Sequence, residues 1–154
     1  MSTWRDPPVW DKWIRGEECP ICHSLSSENA VAELEFVRVM MSPDAPMRGY
    51  VWLPFRRHVI ELHELSEAEG AGLFRNLRRV SGVIQSITRA VKLNYEIHGN
   101  TVPHLHVHIF PRYPGDPFEG GPINPRQVRD PVYEPGEFDE LRNQIRERLR
   151  PDAV

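Results

Sequence analysis

His104-Leu105-His106-Val107-His108-Ile109-Phe110 alternates imidazole and aliphatic side chains before ending on an aromatic ring. Successive side chains on a β-strand point to opposite faces, so this period of two predicts a strand over Leu105–Phe110, stopped by Pro111. On such a strand His104, His106 and His108 share one face, about 6.6 Å from ring to ring, and Leu105, Val107 and Ile109 share the other. The aliphatic face calls for a covering helix. The opposite face carries three ionisable rings that packing does not require.

An imidazole titrates near pH 6.5, so at neutral pH much of it is an uncharged nucleophile needing no strong base. With a phosphate over the middle ring, a nitrogen of His106 attacks phosphorus and forms a phosphoramidate, dividing one displacement into two easier steps. His108, on the same face, is placed to protonate the departing phosphate. A second reading of the same spacing makes His104, His106 and His108 joint ligands of one transition metal.

Outward from this run, Lys92–Ile97 reads as a preceding strand and Gly99-Asn100 as a turn. Ser66-Glu67-Ala68-Glu69 carries a capping-box pattern, and Leu73, Leu77, Val80, Ile84, Ile87 and Val91 recur at steps of three and four. That stripe predicts an amphipathic helix of about seven turns, long enough to cover the aliphatic face of a sheet. Val31–Met41 reads as one strand, broken at Ser42-Pro43-Asp44-Ala45-Pro46, and Tyr50–Leu53 as its hairpin partner. Prolines and glycines crowd residues 111–136, which predicts a long irregular segment. Phe138, Leu141, Ile145 and Leu149 predict a short C-terminal helix. The first 18 residues hold Trp4, Trp10 and Trp13 among prolines and charges, which reads as an arm docked by aromatic anchors. The expected fold class is α+β.

The bulk numbers narrow the function. A chain of 154 residues is the size of one domain. No apolar run approaches the roughly 18 residues of a membrane span, and the net charge of −3, with basic and acidic residues interspersed, argues against a nucleic-acid partner. The start Met1-Ser2-Thr3-Trp4-Arg5 has no secretory pattern, so the expected location is cytoplasmic. Cys19-Pro20-Ile21-Cys22 places two thiols on a turn, close enough to share a zinc ion that needs two further ligands. A redox dithiol and a pair of inert thiols are the other readings.

The run His104-Leu105-His106-Val107-His108-Ile109-Phe110-Pro111-Arg112 resembles the signature of the histidine-triad (HIT) superfamily. The likeness extends from about Cys19 to Phe118, through Pro54-Phe55-Arg56-Arg57-His58, the long helix and the Gly99-Asn100-Thr101-Val102-Pro103 approach. It implies an antiparallel sheet with one long helix packed on it, division into an arm (1–18), a HIT domain (19–118) and a C-terminal extension on the same domain (119–154), and assembly into homodimers. It also implies a nucleotide hydrolase or nucleotidyltransferase acting at the α-phosphate of dinucleoside polyphosphates or nucleoside phosphoramidates, with a small nucleotide as partner. On that match His106 is the nucleophile, His108 assists the leaving group, His104 completes the triad, and Asn94 and Thr101 contact substrate. Some members with an N-terminal cysteine pair hold a structural zinc, which here would use Cys19, Cys22, His58 and His104; His23 or His98 in place of His58 is the alternative set. Two other functions fit the same residues, a nucleotide-binding regulatory module with little turnover and a plain metal-binding protein. Arg112 is left with two roles, a distal phosphate contact or a pairing at a subunit interface.

Overall fold

The computed structural model describes residues 3–24, 30–128 and 130–150. Residues 1, 2 and 151–154, the ends of the expected arm and extension, lie outside the described residues. The elements run α1 (Pro7–Ile14), α2 (Pro20–Ser24), β1 (Ala30–Glu33), β2 (Arg38–Met40), β3 (Val51–Pro54), α3 (Glu67–Thr88), β4 (Lys92–Ile97), β5 (His106–Arg112) and α4 (Glu137–Arg148). The strands form one antiparallel sheet in the order β1-β2-β3-β5-β4, so the histidine strand lies inside the sheet.

The long helix starts where its cap predicts. The Ser66 hydroxyl accepts from the Glu69 N–H, and the Glu69 carboxylate accepts from the Ser66 N–H at 2.9 Å, satisfying two of the donors that every helix start leaves open. Leu73, Leu77, Val80 and Ile84 are buried against Val107 and Ile109 of β5 and Val51 and Leu53 of β3. Removing each of these side chains from water contributes about 2 kcal/mol. The helix is shorter than the stripe predicts. Arg89 turns left-handed (φ 56°) and closes it at Thr88, leaving Val91 outside and 64% exposed. α4 packs on α3 and β1, and Leu141, Ile145 and Leu149 join the same core.

Three further expectations are corrected. Val31–Met41 is two strands, joined by a tight hairpin that the Leu34 N–H closes onto the Val37 carbonyl at 2.9 Å. β5 continues through Pro111 to Arg112. Pro111 is tolerated because β3 begins opposite Ile109, so the missing N–H faces a stretch of β5 with no neighbour on that side. The N-terminal arm carries its own helix, α1, none of whose residues is buried. Trp4 and Trp10 meet edge to face at 5.9 Å; Trp4 is 56% exposed, while Trp10 and Trp13 are half-buried. Among the described residues, no helix is long and apolar enough to cross a membrane.

Candidate active site and metal cluster

β5 aims Val107 and Ile109 at α3, so His106 and His108 point the other way, into a cleft of about 630 Å³. The two rings stand edge to face, 4.8 Å between centres. The Nδ1–H of His106 donates to the main-chain carbonyl of His104 at 2.5 Å, which leaves Nε2 as the nitrogen with a free lone pair. His108 Nδ1 is 2.8 Å from the Tyr50 hydroxyl. Burial raises the Tyr50 phenol well above its usual range and keeps it protonated. With the phenol donating to Nδ1, His108 carries its own proton on Nε2. Burial also lowers His106, and it lowers His108 to about 3, with the neighbouring imidazoles adding to both shifts. Both rings are therefore neutral at pH 7.

His104 does not share this surface. It precedes β5, where its N–H turns back to the Val102 carbonyl, and it is wholly buried. Its ring faces Cys19, Cys22 and His58, so two imidazoles of the predicted row line the cleft and the third leaves it. His104 Nδ1 lies 3.5 Å from Cys19 Sγ, 3.4 Å from Cys22 Sγ and 3.3 Å from His58 Nδ1. His58 Nδ1 is 3.4 Å from Cys22 Sγ, and all four donor atoms lie within 4.8 Å of one another. A tetrahedral ion with bonds of about 2.0–2.3 Å needs its donors about 3.3–3.8 Å apart, so this set fits one with small adjustments.

The outer hydrogen bonds match the same purpose. His104 donates Nε2–H to the Phe55 carbonyl at 2.8 Å, and His58 donates Nε2–H to the Ile14 carbonyl at 2.9 Å. Both rings are held with Nδ1 free to ligate. Gly16, at φ +78°, comes so close that a Cβ there would sit 3.1 Å from the His58 ring, so both backbone conformation and space favour glycine. Desolvation pushes the Cys22 thiol up to about 11, with Cys19 adding to the shift, and desolvation takes His104 down to about 4. Crowded beside a second sulfur, the Cys22 thiol resists becoming a thiolate. The alternatives to His58 lie elsewhere: His23 bonds the Cys19 carbonyl and His98 bonds Glu96. Among the described residues, the donor group able to hold an ion contains neither His106 nor His108, so the geometry does not assemble the three histidines around one metal.

Thr101 lines the cleft, as does Glu96, whose strand position pairs directly with His108. Asn94 lies two residues back, opposite Phe110, and lines a neighbouring groove instead. Its amide oxygen accepts from Arg112 at 2.6 Å. Arg112 is almost buried. It clasps Asp116 through two bonds of 2.8 and 2.9 Å and also donates to the Phe118 and Gly121 carbonyls. Through these bonds it fixes the loop after β5. The sequence reading missed Tyr50, Trp52, Glu96, His98 and the segment Ile123–Arg126 as cleft walls. Counting from His108 in the β4–β5 register identifies Glu96; no local sequence signal marks 123–126.

A family model described as the HIT domain matches residues 26–115. The chain belongs to the HIT domain family. This HIT chain is 30% identical over 127 residues to a bis(5'-adenosyl)-triphosphatase of Dictyostelium discoideum, covering 77% of this chain and 80% of that protein. It is 37% identical over 83 residues to a bis(5'-nucleosyl)-tetraphosphatase [asymmetrical] of Schizosaccharomyces pombe, covering 51% of this chain and 44% of the relative, so the match spans less than half the yeast protein. Among solved structures, a histidine triad protein from Bradyrhizobium japonicum superposes with a TM-score of 0.70 at 30% identity, covering 83% of this chain and 96% of that one. The HIT fold thus accounts for the sheet, the long helix and the histidine strand together.

Proposed function

We propose that this HIT domain hydrolyses or transfers nucleotides at the α-phosphate of dinucleoside polyphosphates or nucleoside phosphoramidates, through a nucleotidyl group carried on His106. The observation that carries this reading is the tautomer of His106. A backbone carbonyl takes its Nδ1–H, and burial keeps the ring neutral, so Nε2 offers a lone pair to the cleft. In the first step Nε2 bonds to phosphorus, the bond to the leaving atom (oxygen in a polyphosphate, nitrogen in a phosphoramidate) breaks, and His108 gives that atom a proton from Nε2. For this His108 takes up a second proton as the anionic substrate binds, its Nδ1–H then donating to the Tyr50 oxygen, so that loss of the Nε2 proton leaves a neutral ring. In the second step water, or another acceptor, displaces the nucleotidyl group and His108 recovers a proton from it. The names of the two relatives support dinucleoside polyphosphates as the substrate class. Thr101 contacts the phosphate from the approach loop, while Asn94 acts on the wall through Arg112.

Zinc on Cys19, Cys22, His58 and His104 supplies structure, since four protein ligands leave no open position. It ties α2 to the entry of β5. A cysteine pair that holds a metal and forms no disulfide fits a reducing compartment such as the cytoplasm. β4 is a sheet edge carrying Tyr95 and Ile97, both exposed, beside exposed Phe74, and we assign that apolar edge to a homodimer. The covalent step is tested by rapid quench with a substrate labelled in the nucleotidyl group. Label on the wild-type protein and none on His106→Ala is the expected result. Label that still accumulates on the variant overturns the assignment.

A further inference from the structure

Three imidazoles do meet in the cleft, and the third is His98. It follows β4 on the connection to β5, and its ring centre lies 5.8 Å from that of His108. It lines the same cleft as His106 and His108. Nε2 of His98 is 2.9 Å from a Glu96 carboxylate oxygen. Glu96 itself pairs across the sheet with His108, so the carboxylate and the ring form one side wall. With Nε2–H donated to Glu96, Nδ1 is the ring nitrogen left for a ligand. The other charged groups lining the cleft are Asp44, from the β2–β3 connection, and Arg126, from the C-terminal segment.

A bare carboxylate beside His108 would repel a chain of phosphates. A ring between that carboxylate and the chain separates the two negative groups and offers the phosphate oxygens a donor in place of a carboxylate. We propose that His98, oriented by Glu96, is a specificity-determining contact for the phosphate chain that departs past His108, donating Nδ1–H to a non-bridging oxygen. This rests on the nucleotidyl-transfer reading above. It adds that the cleft distinguishes anionic leaving groups from others, and that a residue outside the histidine strand does so. Glu96 is a positioning residue acting through His98.

The test compares two substrates with the same adenylyl group, bis(5'-adenosyl) tetraphosphate and a nitrophenyl ester of AMP, whose leaving group has no phosphate. The kcat/KM ratio of the first to the second falls about 10- to 100-fold in His98→Leu, the size of a lost charge-assisted hydrogen bond. His98→Lys restores most of the ratio, and Glu96→Gln lowers it less than His98→Leu does. Calorimetry with inorganic tripolyphosphate reads the same contact without turnover, and there His98→Leu weakens binding about tenfold. A ratio and a tripolyphosphate affinity both unchanged in His98→Leu overturn the proposal, as does a wild-type protein that fails to bind tripolyphosphate. A wild type that binds tripolyphosphate through His98 but releases AMP from neither substrate keeps the contact and sinks the reading beneath it.

Discussion

The cysteine cluster and the cleft each contain histidines held by backbone carbonyls, yet they offer opposite nitrogens. In the cluster His58 and His104 give Nε2–H to Ile14 and Phe55 and present Nδ1 to two sulfurs. In the cleft His106 gives Nδ1–H to His104 and presents Nε2 to open space. Residue type is the same in both places, so the role of each ring is set by which carbonyl lies within reach and by what faces the other side.

The sharpest way to break this comparison is to remove one ring from each side. His106→Ala is expected to lose about 10⁴-fold or more in turnover, while keeping its metal content and melting temperature. Turnover within tenfold of wild type would show that the free Nε2 is not the nucleophile. His108→Gln is expected to cost about 10²–10⁴-fold, most for leaving groups that need a proton. Equal slowing across leaving groups, measured with a series of AMP aryl esters, counts against proton donation. On the cluster side, chelation or Cys22→Ser lowers the melting temperature by about 10 °C, the effect of losing a tightly bound structural ion from a chain of this size. An unchanged melting curve with the metal gone removes the structural role. The smallest effect is on pH. His108 is near 3 in the folded protein and about 6.5 unfolded, so between those values the unfolded chain binds the extra proton. Its contribution to stability is whole above pH 6.5 and shrinks as pH falls toward 3. A melting curve series from pH 7 to 4 declines less in His108→Gln than in wild type if that is right.

Much of the frame was readable because its signals are local. The Ser66 capping box, the Leu73–Ile84 stripe and the Lys92–Ile97 strand depend on spacing within one element, and each appears where the spacing puts it. The turn at Leu34–Val37 was not readable, because Leu-Glu-Phe-Val contains none of the residues that usually mark a reversal. Period two likewise put His104 on the wrong surface: the alternation continues in sequence after the backbone has left the strand, where the His104 N–H turns to Val102. Glu96 and Asn94 differ only in register, which pairing with β5 decides and composition does not. Arg112 was legible as a charge near the site, but its partner Asp116 takes it out of solvent. The wall at Ile123–Arg126 depends on Ile123 packing against Met47 and Phe110, a contact between parts far apart in the chain.

One residue belongs to both regions. The ring of His104 is committed to the sulfurs and its carbonyl to His106, so one residue is gripped through both side chain and backbone. Loosening the N-terminal clasp is therefore expected to disturb the carbonyl that orients the His106 ring, so that a chain stripped of its metal becomes slower as well as less stable.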